Sequence, residues 1–421
     1  MRKQGKICCE LALEVLVCAV LGLVFLMIVY LLPTNRIRMH VIESKQTLEN
    51  LSDDDAVTFS EWCDTNTNII MLHEAIFRSN DKNVLYDALC APTWNFMSEW
   101  TGRWEQSLVR VADNSSEMYA DVITYPRYWH GQIIFLKPLL EVMNLQEIYA
   151  LNAAVQIILI LLVLYLMLKK LGKYTIAYAV MLISMKWIFI AQSIQLSVIF
   201  YITNIIVLLL LLAADNNGYD YYIKIMCLDG IMVAYFDFLT YPAYAACVPI
   251  LVFVLLHNEG KVLMTIKDCI FGGLSFLWGY AGMWASKWVM ATVLTDENII
   301  KDAYDSVLHR VGAGQISDTE KAATPGVSLL FNARACFEKP ILLLLILGMI
   351  IIICMIIRNR GIRRVDKSVI TASTIVSVVI LAWYVIVYNH CSLHPHLEWR
   401  EYTAIIFAVG CLGLSLLPDE R

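Results

Sequence analysis

Ten apolar segments are the feature that most constrains how this chain can fold. Each is about 15 to 25 residues long, and about 20 helical residues cross a bilayer core. With 59% hydrophobic and 16% charged residues among 421, the composition is also unlike that of a soluble protein. The sequence therefore predicts an all-α integral membrane protein with about ten transmembrane helices. The segments are 8–32, 150–168, 174–191, 196–214, 225–239, 243–256, 270–290, 341–357, 369–388 and 402–417.

The distribution of Lys and Arg between these segments indicates the orientation of the chain. Short cytoplasmic connections are enriched in basic residues, and the basic residues named below all fall on the cytoplasmic side if the N-terminus is cytoplasmic. Both termini are then cytoplasmic. The fifth and sixth segments are separated only by 240–242, which leaves a broken or re-entrant pair as an alternative. The basic residues are Lys169, Lys170, Lys173, Lys261, Lys267, Arg358, Arg360, Arg363, Arg364 and Lys367.

This orientation predicts two long outer loops, 33–148 and 291–339. The first loop contains five tryptophans, which is too aromatic for a disordered linker. We therefore expect it to be partly helical and to fold onto the membrane domain. Residues 1–421 are predicted to form a single polytopic domain.

Charge and cysteine content bear on two further questions. The net charge is −5, from 32 basic and 37 acidic residues, and no long basic run lies outside the segments, which argues against nucleic acid as a partner. Several of the twelve cysteines lie within apolar segments, where cysteine acts as a small hydrophobic residue. Cys63 and Cys90 are able to pair only if the first outer loop faces an oxidising compartment, and this stays open.

Four ionisable residues lie inside the apolar segments and are functional candidates because charge in a bilayer is costly. Lys186, Asp229, Asp237 and Lys287 form this set. Asp237 is near the outer end of its segment. There its carboxylate either contacts a substrate or forms a structural ion pair with Lys186 or Lys287. For Asp229 a structural role is favoured.

The first outer loop is rich in carboxylates, most of which we expect to be solvated. The run 53–55 contains three aspartates, but consecutive side chains do not point at one ion in regular structure and the spacing is not that of a calcium loop. No cofactor is predicted, and a divalent cation is only an alternative. Asp121 is more notable because it precedes an aromatic segment, where a carboxylate suits the role of a general base towards a hydroxyl.

The segment 125–131, with the sequence YPRYWHG, follows Asp121 directly. Its aromatic residues are typical of a membrane interface, so an interfacial anchor is one interpretation. Arg127 and His130 add a cation and a titratable donor that an anchor does not require. Trp129 is grouped with them as a candidate for binding the substrate.

The last outer loop contains three histidines within seven residues, followed by an arginine. His390, His394 and Arg400 are the candidates for holding the phosphate of a lipid carrier, since the guanidinium group of an arginine donates two parallel hydrogen bonds to phosphate oxygens. A zinc site is an alternative, although the ligand spacing is weak. A plain membrane interface is the third interpretation.

Several of these stretches resemble a known group of proteins. The motifs are YWHG at 128–131 followed by PLL at 138–140, FDFLTYP at 236–242, GYAGMWASKW at 279–288, and the last loop with His390, His394 and Arg400. They resemble uncharacterised polytopic membrane proteins of Gram-positive bacteria, which in turn are similar to the GT-C superfamily of membrane glycosyltransferases. The likeness extends over nearly the whole chain.

The resemblance implies a GT-C-like fold in the bacterial plasma membrane, with a catalytic carboxylate in the first outer loop. It implies a polyprenyl-phosphate-linked sugar as donor, a cell-envelope glycan or lipid as acceptor, and inversion at the sugar. The carboxylate would take the acceptor proton while cationic groups stabilise the departing phosphate. The residues expected to bind the substrate or its lipid phosphate would then be Arg127, Trp129, His130, Asp237, Lys287, His390, His394 and Arg400.

One position departs from the pattern. The related sequences carry an acidic pair in the stretch that corresponds to 64–72, and the second acidic position is Asn68 in this chain. Asparagine does not act as a general base, so the resemblance leaves Asp64 or Asp121 as the catalytic residue. Alternatives are a transporter or flippase of a lipid-linked or small substrate, and a catalytically inactive envelope scaffold.

Overall fold

The computed structural model describes residues 2–51, 65–79, 81–95, 121–215, 218–257, 260–314, 323–358 and 366–417. Within these ranges the chain is almost entirely helical. The first half contains helices α1 Arg2–Tyr30, α2 Asn35–Glu43, α3 Lys45–Asn50, α4 Thr65–Ile76, α5 Val84–Cys90, α6 Ile133–Leu140, α7 Leu145–Leu171, α8 Tyr174–Ser184, α9 Trp187–Ala191 and α10 Ile194–Ala213. The second half contains α11 Tyr219–Phe236, α12 Pro242–Leu256, α13 Val262–Leu294, α14 Ile299–Arg310, α15 Pro325–Cys336, α16 Lys339–Arg358, α17 Lys367–Ile386, α18 Tyr388–Leu393, α19 Pro395–Glu398 and α20 Tyr402–Ser415.

Six of these helices are long and apolar enough to cross a membrane. They lie at Gly5–Tyr30, Leu145–Leu171, Ile194–Ala213, Val262–Leu294, Lys339–Arg358 and Lys367–Ile386. The shorter helices α8 and α12 are also apolar. The predicted helical membrane class is therefore confirmed at this level. Each of the ten predicted segments contains a helix or a pair of helices, while the number of crossings stays a prediction.

The predicted segment 174–191 is divided into α8 and α9 rather than being one helix. Lys186 separates them with a φ of +53°, a backbone conformation that interrupts an α-helix. Its Nζ atom lies 2.6 Å from Oε2 of Glu338, just before α16. We attribute the break to this pair, since turning the chain at Lys186 brings the ammonium group to a carboxylate.

The closest helix packing is between α11 and α13, at two glycines. A Cβ atom on Gly230 would lie 2.0 Å from the carbonyl oxygen of Phe276, and one on Gly279 would lie 2.0 Å from that of Cys227. Only glycine permits such an approach of two backbones. This pair of helices supports the turn at 237–240 that follows α11.

A two-stranded antiparallel sheet positions the aromatic segment 125–131. Strand β1, Pro92–Asn95, pairs with β2, Asp121–Thr124, with Trp94 opposite Val122. After β2 the segment is fixed to α11 and α13 by three hydrogen bonds, including one of 3.0 Å from the amide of Gly131 to the carbonyl oxygen of Tyr235 in α11. A Cβ atom at Gly131 would lie 2.5 Å from the Tyr235 ring, so this contact requires glycine. The other two bonds run from the indole N–H of Trp129 to Met283 O (2.8 Å) and from that of Trp288 to Arg127 O (2.9 Å).

Candidate functional site

A polar cavity of about 660 Å³ lies where the three predicted outer regions meet. Its walls come from α4, the segment 125–131, the first turn of α10, the turn after α11, helix α14, and the region of α18 and α19. It combines aromatic, cationic and acidic side chains. Those that matter below are Tyr125, Arg127, Tyr128, Gln195, Phe238, Asp302, Asp305, His309, Arg310, His390, His394 and His396.

Two arginines line the cavity from different parts of the sequence. Nη1 of Arg127 donates to both carboxylate oxygens of Asp302 at 3.2 Å, and Nη2 of Arg310 donates to the hydroxyl of Tyr128. The Nε atoms of both arginines are buried and have no hydrogen-bond partner among the described residues. A buried charged donor without an acceptor is unfavourable, and both guanidinium groups belong to residues of the cavity wall.

Two of the predicted histidines, His390 and His394, also line the cavity. Nε2 of His390 lies 2.9 Å from the carbonyl oxygen of Leu239 and 3.1 Å from Oε1 of Glu398. The rings of His390 and His394 are 4.8 Å apart. Burial lowers the pKa of both, that of His390 to about 3. At neutral pH these side chains are therefore hydrogen-bonding groups rather than cations.

Asp237 lies beneath the cavity and is not part of its wall. Its carboxylate accepts hydrogen bonds from the amide (2.9 Å) and the hydroxyl of Thr240. This closes a turn in which Leu239 has a φ of +70°, and the turn directs Leu239 O to His390. Asp237 therefore shapes the wall next to Phe238, and its described contacts are with this turn rather than with a lysine.

Arg400 also lies behind the cavity wall. It is buried, its Nη1 atom donates to the carbonyl oxygen of His396 at 2.7 Å, and its guanidinium group lies 4.6 Å from the centre of the Trp399 ring. In the described structure this arginine orients the backbone that carries His396. Arg310, which the sequence analysis did not single out, occupies the cavity instead.

Trp129 and Lys287 belong to a second buried group, next to α13. The Nζ atom of Lys287 donates to the carbonyl oxygen of Ala88 at 3.1 Å and lies 5.3 Å from the centre of the Trp129 ring. Neither side chain lines the polar cavity. Their contacts fasten α5 and the segment 125–131 to the helix bundle.

His130 connects this buried group to the cavity wall. Nδ1 of His130 is 2.8 Å from Oε2 of Glu74, and Nε2 is 2.7 Å from the carbonyl oxygen of Tyr125. The hydroxyl of Tyr30 donates to Oε1 of Glu74 at 2.6 Å. Both imidazole nitrogens therefore lie within hydrogen-bond distance of an oxygen atom. The network holds Tyr125 in the wall of the cavity.

The two predicted catalytic carboxylates are not defined by the structure at the level of side chains. Asp64 lies outside the described residues, and so does Cys63. Cys90, the other cysteine of the pair considered above, is a buried free thiol. Asp121 is in β2, opposite Asn95, and only its backbone is described. Within the described ranges, the carboxylates that line the cavity are Asp302 and Asp305.

Asn68, which replaces the acidic residue expected from the resemblance, has a structural contact. It is buried, and its Oδ1 atom accepts a hydrogen bond of 3.1 Å from the amide of Ile194, the first residue of α10. The first amides of a helix have no partner within the helix. Asn68 therefore caps α10, and its described contact does not require a catalytic role.

The sequence analysis missed the contribution of α14. Asp302, Asp305 and His309 lie on one face of this helix, at spacings of three and four residues, and Arg310 follows His309 directly. That periodicity is visible in the sequence and would have indicated a polar helical face in the second outer loop. For the divalent cation alternative, the described residues contain no group of three His, Cys, Asp or Glu side chains placed to hold a metal ion.

No family model matches the sequence, and no curated protein or solved structure is significantly similar to it.

Proposed function

We propose that this chain is a membrane glycosyltransferase-like protein that binds a polyprenyl-phosphate-linked sugar in the polar cavity. One observation carries the proposal: Arg127 and Arg310 line one cavity, and the buried Nε donor of each has no acceptor within the described part of the chain. Guanidinium groups bind phosphate oxygens through several N–H donors. A phosphate in the cavity would lie beside both guanidinium groups.

The rest of the cavity suits a sugar phosphate better than a free anion. The rings of Tyr128 and Phe238 are 5.2 Å apart and those of Tyr125 and Tyr128 are 5.3 Å apart, so an aromatic surface lies beside the arginines. His390 and His394 supply neutral hydrogen-bonding groups. Aromatic faces and neutral donors are the groups that support a sugar ring next to its phosphate.

A lipid carrier also needs an apolar path. A groove of about 550 Å³ lies between α6, α7, α10 and α11, with a lining that is almost entirely apolar. Ile194 lines the groove and Gln195 lines the polar cavity, so the two spaces lie on either side of the first turn of α10. This neighbourhood supports a ligand that has both a polar head and a hydrocarbon chain.

In the proposed reaction, a hydroxyl of the envelope acceptor attacks the anomeric carbon of the sugar. The bond between that carbon and the phosphate oxygen breaks, the acceptor proton passes to a carboxylate, and the configuration is inverted. Asp64 and Asp121 are the bases that the family resemblance suggests, while Arg127 and Arg310 stabilise the leaving phosphate. The proposal includes ten membrane crossings, a bacterial plasma membrane location and cytoplasmic termini.

Binding of a polyprenyl phosphate to the purified protein tests the proposal. A ligand that binds the folded state raises the unfolding temperature by mass action. We expect polyprenyl phosphate to stabilise the wild type and Lys301→Gln, a control that removes an exposed cation of α14 outside the cavity. Arg127→Gln should weaken binding by about tenfold, the cost of about one charged hydrogen bond.

Polyprenol, which lacks the phosphate, distinguishes recognition of the phosphate group from binding of the hydrocarbon chain. Equal stabilisation by polyprenol and polyprenyl phosphate, or no stabilisation by either, would contradict a phosphate site in the cavity. Flux of the lipid-linked sugar across proteoliposomes without any acceptor would favour the flippase. Unchanged surface glycan in cells that carry Asp64→Asn and Asp121→Asn together would remove these residues as catalytic bases and would favour the scaffold.

A further inference from the structure

Gln195 is a buried residue of the polar cavity wall. It has no role in the proposed contacts between the arginines and the phosphate. It lies in the first turn of α10, is only 3% exposed, and lines the cavity. Its Oε1 atom is buried and accepts no hydrogen bond from the described residues. Because such an oxygen is unfavourable until a donor reaches it, a ligand that brings a donor gains affinity.

The backbone that carries Gln195 is fixed on both sides. Oγ of Ser193 accepts a hydrogen bond of 3.3 Å from the amide of Leu196, and Oδ1 of Asn68 accepts one of 3.1 Å from the amide of Ile194. These two bonds satisfy amides at the start of α10 that the helix itself leaves free. The backbone position of Gln195 is therefore set before any ligand binds.

The chemistry of Gln195 differs from that of the arginines in the same cavity. A phosphodiester carries acceptor oxygens and no donor at neutral pH, so it suits the N–H groups of Arg127, Arg310 and the Gln195 amide but leaves Oε1 of Gln195 without a donor. A sugar hydroxyl both donates and accepts, and it therefore satisfies the amide of Gln195 in either orientation. The cavity thus offers donors for a phosphate and an acceptor for a hydroxyl.

We propose that Gln195 accepts a hydrogen bond from a hydroxyl of the sugar and so distinguishes the glycosylated carrier from the bare carrier. This inference rests on the proposed function, since it concerns the head of the same ligand. It makes Gln195 a specificity-determining residue that the sequence motifs do not include.

The test compares the apparent affinities of the full-length protein in detergent for two kinds of probe. One is polyprenyl phosphate, and the other is the same carrier bearing glucose, galactose or mannose, each titrated by thermal shift. We expect at least one of the glycosylated carriers to bind the wild type more tightly than the bare carrier. In Gln195→Met this preference should fall by about threefold to tenfold, the range for one neutral hydrogen bond.

Three further measurements separate recognition from structure. Gln192→Met changes a half-buried glutamine that does not line the cavity and should keep the full preference. Gln195→Glu should also keep the preference, because an oxygen acceptor remains. The added negative charge repels the phosphate of both probes equally and so does not change their relative affinity. Without ligand, Gln195→Met should unfold at or above the wild-type temperature, since no described hydrogen bond to Oε1 is lost.

The outcomes are distinguishable. If the bare carrier binds but no glycosylated carrier binds more tightly, or if the preference survives in Gln195→Met, the inference is wrong and the phosphate site stands. A lower unfolding temperature of Gln195→Met without ligand would assign Gln195 a structural role and also overturn the inference. If no carrier binds the wild type at all, the proposed function and the inference fail together.

Discussion

Replacing Gly279 by alanine should separate the two most closely packed helices. The added Cβ would lie 2.0 Å from the carbonyl oxygen of Cys227 and 3.0 Å from the amide nitrogen of Ile231, both backbone atoms of α11. An ordinary contact begins at 3.4 Å, so the helices would have to move apart by 3.4 − 2.0 = 1.4 Å at this point. Overpacking of this kind reduces the free energy of unfolding by about 1–3 kcal/mol or more.

Gly273 provides a matched control on the same helix, α13. A Cβ atom at Gly273 meets nothing within 4 Å. Both substitutions gain the roughly 0.5–1 kcal/mol by which alanine exceeds glycine in helix propensity. The difference in stability between the two variants therefore isolates the packing cost at Gly279.

Reversible unfolding in mixed detergent micelles, followed by far-UV circular dichroism, measures this difference. We expect Gly273→Ala to match or exceed the wild type and Gly279→Ala to be less stable by at least about 1 kcal/mol. Equal stabilities of the two variants would refute the reasoning, because they would mean that α11 and α13 do not approach each other at the distance described.

Three further predictions concern the surroundings of the cavity. Burial raises the pKa of Glu398 from 4.5 to about 8, so the protonated carboxyl group stabilises the fold fully below its unfolded pKa, and this contribution is lost as the pH rises through 8. Between pH 6.5 and 8 the free energy of unfolding of the wild type should therefore fall by about 2 kcal/mol, whereas Glu398→Gln should retain it; unfolding measured at each pH tests this. Asn68→Leu should reduce stability by about 1 kcal/mol through loss of the cap on Ile194, whereas Asn68→Asp should preserve it in the same unfolding assay. Asp302→Asn should tighten binding of polyprenyl phosphate by about threefold in a thermal-shift titration, because it removes a carboxylate that competes for Arg127.

Each of these has an outcome that contradicts it. A parallel decline of wild type and Glu398→Gln between pH 6.5 and 8 would mean that Glu398 is ionised in the folded protein. Full stability of Asn68→Leu would mean that the cap on α10 contributes nothing. Weaker phosphate binding by Asp302→Asn would mean that Asp302 positions Arg127 rather than competing for it.

The sequence determined which apolar stretches become helices. Apolar segments of bilayer length predict α1, α7, α10, α13, α16 and α17 because helix formation and transfer into lipid depend on local composition. The break at Lys186 was not predictable in this way, since its described partner is Glu338, far along the chain. The close approach of Gly279 to Cys227 likewise depends on where two helices meet.

The sequence also determined the residue types of the candidate site, but only the tertiary structure decided which of them meet. Arg127, His390 and His394 line the cavity as a group, while Asp237 and Arg400 lie behind its wall. Arg310 and Gln195 enter it although no motif pointed to them. The physical reason is that residue chemistry is local, whereas a cavity is formed by segments that packing brings together from distant parts of the chain.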